Sequence, residues 1–190
     1  MGKILVYIYD DMADFEISLL THLLGADRGM ELLVVSNNNR MVTSKSGMLF
    51  MPHLDLHNID IMEVEGIIIP GGLLADLDEK LIDIIQDLHS RNKLIAAICA
   101  APWILAKAGV LEKCKYTTSI VEWRDMHKEI FKTDDPFPRQ GYIEGRVIRD
   151  GNIITAKGIA FIDFAIEVCD YFGLFKDEEE KKDFEQELKG

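Results

Sequence analysis

The chain has 190 residues, 48% of them hydrophobic and 28% charged, with 14 glycines and 5 prolines; this composition excludes a disordered or repeat-built protein and predicts one buried core rather than two. A formal net charge of -12, from 33 acidic against 21 basic residues, excludes a nucleic-acid backbone or an anionic membrane surface as partner in the absence of a local basic patch, and none is legible. The three cysteines have no framework spacing and the apolar run Ile4 to Tyr9 is too short for a secretory core or a membrane span, so free thiols in a reducing, cytoplasmic setting are expected.

Ile4 to Tyr9 is a continuous β-branched and aromatic run, the pattern of a strand covered on both faces, and it is closed by Asp10-Asp11. In Ala13 to Ala26, Phe15, Leu19, Leu20, Leu23 and Leu24 fall at helical spacing, with Gly25 and Gly29 where the helix runs out. Glu31 to Val35 then reads as a second buried strand, which implies a right-handed parallel crossover. Arg40 to Phe50, with Ser-Lys-Ser-Gly at its centre, predicts a hairpin or a pair of short strands. His53-Leu54-Asp55-Leu56-His57 alternates, so an edge strand with Leu54 and Leu56 inward is expected; the same alternation would align two histidines and Asp55 for a metal, but nothing completes a ligand set and no metal is expected.

Gly66 to Ile69 is a third buried strand running into Pro70-Gly71-Gly72, a turn whose glycines allow close approach of backbone N–H groups. Leu77, Leu81, Ile84, Ile85 and Leu88 mark one face of the next helix. Lys93 to Ile98 is the fourth buried strand, and Ala100 to Ala108 an alanine-rich helix ended by Gly109. Lys115 to Thr118 and Arg146 to Thr155 read as strands, the latter turning at Asp150-Gly151, and Asp134 to Gly141 is a loop placed to cover a site. Phe161 to Phe172 closes the fold as an amphipathic helix, and 174–190 is a charged, solvated tail or helix.

Ligands of open parallel sheets bind beyond the carboxyl ends of the strands, and Asp10-Asp11, Pro70-Gly71-Gly72 and Cys99 all fall there. Cys99, between a buried strand and a helix with Pro102 in its first turn, is the candidate reactive residue, with the helix dipole expected to favour its thiolate. Cys114, between Lys113 and Lys115, is a rival thiol; Cys169 belongs to the core side of the last helix. His127, close to Trp123, is a candidate pocket residue.

Asp14-Phe15-Glu16, Ile69-Pro70-Gly71-Gly72 and Ala96-Ala97-Ile98-Cys99-Ala100-Ala101-Pro102, extended by Tyr116-Thr117-Thr118, together resemble the ThiJ/PfpI superfamily, over Lys3 to Gly173. That superfamily includes the parkinsonism-associated deglycase and intracellular protease or amidase-like proteins, with a class I glutamine amidotransferase-like fold. The resemblance implies a flavodoxin-like three-layer α/β sandwich over 1–173, with a mostly parallel sheet, helices on both faces and a nucleophile-elbow cysteine. It implies that Cys99 is the nucleophile, that Glu16 is the acid hydrogen-bonded to it, that Gly72 and Ala100 supply oxyanion-stabilising N–H groups, and that the protein is a homodimer; no cofactor is expected. Gly71, Ser119 and Asp11 are the further pocket candidates. A carboxylate would repel a thiolate, so Glu16 must keep its proton and donate.

Family branches place a histidine directly after the cysteine or directly after Thr-Thr; here those positions hold Ala100 and Ser119. A Cys-His general-base mechanism therefore does not carry over, which leaves Glu16 to move the proton. Three functions follow: a thiol redox sensor or stress-protective protein, a cysteine enzyme of the glyoxalase, deglycase or amidase type acting on small carbonyl compounds, or a non-catalytic metabolite-binding or interaction module.

Overall fold

A computed structural model of the chain describes residues 2–26, 30–74 and 76–190, so Gly29 lies outside the described residues. In chain order the elements are β1 (Gly2–Tyr7), α1 (Phe15–Ala26), β2 (Met30–Ser36), β3 (Val42–Thr43), β4 (Leu49–Phe50), β5 (Leu54–Asp55), β6 (Val64–Ile69), α2 (Glu79–Ser90), β7 (Leu94–Ile98), α3 (Pro102–Lys107), α4 (Asp125–Phe131), β8 (Val147–Asp150), β9 (Ile153–Ala156), α5 (Phe161–Tyr171) and α6 (Glu178–Lys189). Seven strands form one sheet in the order β5-β2-β1-β6-β7-β9-β8, parallel throughout except for β8 against β9.

The central strands are apolar without alternation because both faces are covered: consecutive residues from Ile4 to Tyr7, Ile67 to Ile69 and Leu94 to Ile98 are buried. From β1 the chain crosses through α1 to β2 in one direction, and from β6 through α2 to β7 in the other. Right-handed crossovers then put the helices on opposite faces. One layer holds α1 against α5, with α6 outside α5; the other holds α2 and α3. The architecture is thus a flavodoxin-like α/β sandwich, and its strand order reverses between β1 and β6, the place where such sheets open a crevice.

Several local expectations are corrected. β2 is only half-buried until Val35, since its outer neighbour is the two-residue β5. The His53 to His57 alternation does not persist: after Leu54 and Asp55 pair with Val35 and Ser36, the Asp55 carboxylate accepts the His57 N–H (2.8 Å) and turns the chain into a 3-10 helix over Leu56–Asn58. Leu56 is therefore fully buried while Leu54 is 38% exposed. Lys115 to Thr118 makes only an isolated bridge, Tyr116 to Tyr142. The helix after Cys99 is the six-residue α3, starting at Pro102. In α1 the inward residues are Glu16, Ile17, Leu20 and Leu24, and Phe15 faces out, packing edge-on against Phe161. Nor does α5 close the fold, because α6 docks on it through Lys181 against Glu167 and Asp170 and Lys189 against Asp163, while Phe184 packs on Phe175 of the connecting turn.

Candidate functional site

Three turns at strand carboxyl ends, after β6, β7 and β9, converge with the first turn of α1. Cys99 follows β7 with φ of +64°, in the left-handed region that non-glycine residues rarely occupy. Its backbone is held from both sides. The Cys99 N–H donates to the Ala156 carbonyl at the end of β9 (2.8 Å), and the Cys99 carbonyl accepts the Ser119 N–H and the Thr118 hydroxyl (2.8 Å each). The buried Thr117-Thr118 pair is thus a clamp on the elbow; the Thr117 N–H is itself fixed on Thr155 Oγ1 (2.9 Å).

Glu16 is 3% exposed, and its Oε2 accepts the Gly71 N–H at 2.7 Å. Its carboxyl and the Cys99 side chain lie against the same two glycines, close enough that each shifts the other's titration. Two backbones press on the pair. A Cβ at Gly71 would lie 2.4 Å from both Cys99 Cβ and Glu16 Oε2, and one at Gly158 would lie 2.6 Å from Glu16 Oε1 and 3.0 Å from Cys99 Sγ. Glycine is required at both places by space. At Gly72 it is required by backbone as well, with φ of +140° and Tyr9 Oη 2.8 Å from where a Cβ would stand.

The two side chains perturb each other's titration. Burial raises the Glu16 carboxyl above its ordinary range, against the Gly71 N–H that favours its ionised form. Burial, then the charge of ionised Glu16, push the Cys99 thiol up to about 11, against the Ser119 hydroxyl and Ala100 N–H that favour thiolate. The lowering expected at the start of a helix is outweighed, because burial and then the Glu16 charge act against the thiolate more strongly than the Ala100 N–H favours it.

The predicted residues divide accordingly. Cys99, Glu16, Gly71, Ala100 and Ser119 are brought together; the Ser119 hydroxyl also accepts the Gly158 N–H at 3.1 Å. Gly72 lies beside them. Asp11 is exposed, adopts φ of +63°, and meets the Gly72 turn through its backbone carbonyl rather than its carboxylate. His127 accepts the Arg124 N–H on Nδ1 (2.9 Å) and shares a cavity of about 390 Å³ with Ser119. The Asp134 to Gly141 loop packs Phe137 on Tyr116 and places Arg139 on the Ile120 and Val121 carbonyls, bracing the segment that follows Ser119.

Cys114 is no rival on the expected ground, since burial and Asp150 raise its thiol despite the flanking lysines. Cys169 is buried and pushed up to about 12. His57 contacts Asp55 and Asp78, and among the described residues no group of three or more metal-ligating side chains forms. Gly158 belongs to no motif legible in the sequence. Its signal was its place just past β9, at the same sheet edge as Cys99.

The DJ-1/PfpI family profile matches residues 2–170. The chain belongs to this family. It is 28% identical over 182 residues to a Bacillus subtilis protein named uncharacterized protease YoaZ, covering 91% of this chain and 84% of that one. It is 27% identical over 158 residues to the deglycase PfpI of Pyrococcus furiosus, covering 82% and 89%. Among solved structures, a DJ-1 superfamily protein of Agrobacterium tumefaciens superposes with a TM-score of 0.82 at 27% identity, over 99% of this chain and 100% of that one. Oxidized DJ-1 of Toxoplasma gondii superposes at 0.79 with 23% identity, over 99% and 98%, a likeness of fold.

Proposed function

We propose that this DJ-1/PfpI family member is a thiol-based redox sensor or stress-protective protein in which Cys99 is the oxidised group and Glu16 its proton donor. The observation that carries the reading is the buried Glu16 carboxyl packed with Cys99 around Gly71 and Gly158, with Ala100 and Ser119 at the two family histidine positions. With the proton on Glu16, the Cys99 thiolate attacks one oxygen of a peroxide and the O–O bond breaks. The departing hydroxide takes the Glu16 proton and leaves as water, giving a sulfenic acid beside a Glu16 carboxylate; a second peroxide takes it to the sulfinic acid. Ser119 and the Ala100 N–H are placed to stabilise negative charge on the sulfur.

The test is substoichiometric hydrogen peroxide followed by mass mapping of all three cysteines. Cys99 is expected to oxidise first, and Glu16→Gln to slow it; prior oxidation of Cys114 or Cys169 overturns the reading. A second reading, attack of Cys99 on a small carbonyl compound with Gly72 and Ala100 as oxyanion donors, is favoured by the 27% identity to the deglycase relative. Methylglyoxal turnover that disappears in Cys99→Ser and Glu16→Gln supports it, and turnover unchanged in both excludes it. In either case we expect a cytoplasmic homodimer, as the family resemblance implies; sedimentation as a monomer at micromolar concentration contradicts the dimer.

A further inference from the structure

A second cavity, of about 470 Å³, opens at the carboxyl ends of β1 and β2. This volume is in the range of small-molecule sites. Tyr9 separates it from the thiol: the residue lines the cavity, and its hydroxyl donates to the Pro70 carbonyl (2.9 Å), one residue before the N–H that holds Glu16.

The polar groups of the wall are partly committed to one another, and what remains defines the ligand. The buried Tyr7 hydroxyl donates to Asn37 Oδ1 (2.7 Å), and among the described residues the Asn37 amide nitrogen has no acceptor. Asp10 accepts the Thr43 N–H on Oδ1 (2.8 Å), leaving Oδ2. Arg40 is anchored by its backbone N–H on Asn38 Oδ1 (3.3 Å). Among the described residues, however, the ion pairs include none of Arg40, Asp10 and Asp76, all three of which are exposed. The cavity thus lines up one cation and two anions that do not neutralise each other. Exposed apolar side chains, Leu73 at 45% and Met41 at 54%, line the same cavity.

Unpaired charges of opposite sign around one cavity suit a ligand that carries both. A dianion would meet Asp10 and Asp76, and a neutral apolar molecule would desolvate Arg40 and Asp10 without return. We propose that this cavity binds a free α-amino acid with an aliphatic side chain, its carboxylate on Arg40, its ammonium on Asp10 and its side chain against Leu73 and Met41. The site is independent of the thiol chemistry.

The experiment is a titration of the full chain with L-leucine, followed by calorimetry and ligand-observed NMR. Saturable binding is expected, with L-leucinamide and N-acetyl-L-leucine, each lacking one charge, weaker by about tenfold or more. Arg40→Ala should erase the preference over leucinamide, and Asp10→Asn the preference over N-acetyl-leucine. Cys99→Ser should bind leucine as the parent does, which separates this site from the redox reading. Absence of saturable leucine binding at millimolar concentration, equal affinity for the three compounds, or unchanged preferences in Arg40→Ala overturns the proposal.

Discussion

Replacing Glu16 by Gln isolates the shared proton. Burial and the Glu16 charge raise the Cys99 thiol from 9.0 to about 11, which corresponds to about 3 kcal/mol against the thiolate. Gln keeps an oxygen to accept the Gly71 N–H, but it has no charge and stores no proton. Between the raised titration of Glu16 and the upper thiol step, the wild-type pair holds one proton, so its thiolate fraction, and with it the rate of alkylation, should be flat with pH. In Glu16→Gln a lone thiol titrates, and the rate should climb about tenfold per pH unit toward a midpoint below the wild-type upper step. Burial, the larger cause, stays, and only the charge is removed. Iodoacetamide kinetics from roughly pH 6 to 10, read at the Cys99 peptide, measure both profiles. Superimposable profiles, or a plateau retained in the variant, would refute the shared-proton argument.

The same group gives a stability signature. A raised native pKa means that the folded chain holds the Glu16 proton more tightly than the unfolded chain, so folding gains as pH falls toward 4.5 and loses as pH rises through the native value. Glu16→Gln should therefore melt higher than wild type at neutral pH, with the gap closing on acidification; a gap independent of pH contradicts it. Gly158→Ala, with its Cβ 2.6 Å from Glu16 Oε1, should cost about 1–3 kcal/mol in denaturant unfolding and slow Cys99 alkylation. Leu56→Ala should cost about 2–5 kcal/mol, whereas Leu54→Ala, at a position 38% exposed, should cost less than about 1 kcal/mol; equal losses would restore the continuous edge strand.

Sequence alone determined the elements whose burial is symmetric. Runs such as Ile4 to Tyr7, Ile67 to Ile69 and Leu94 to Ile98 are apolar at every position because helices cover both faces, and that constraint is written residue by residue. The glycines after β6 and the cysteine after β7 were legible for a related reason, since a parallel sheet delivers its strand ends to one edge. Tertiary structure decided what depends on partners distant in the chain. The Asp55 side chain ended a strand that alternation had promised, and Tyr116 found one bridge partner where a strand was expected. Gly158 approached Glu16 across the whole fold. The thiol shows the division most clearly: its place between strand and helix was local information. Its titration was not, because burial and a carboxyl from α1 outweigh the short helix that follows it.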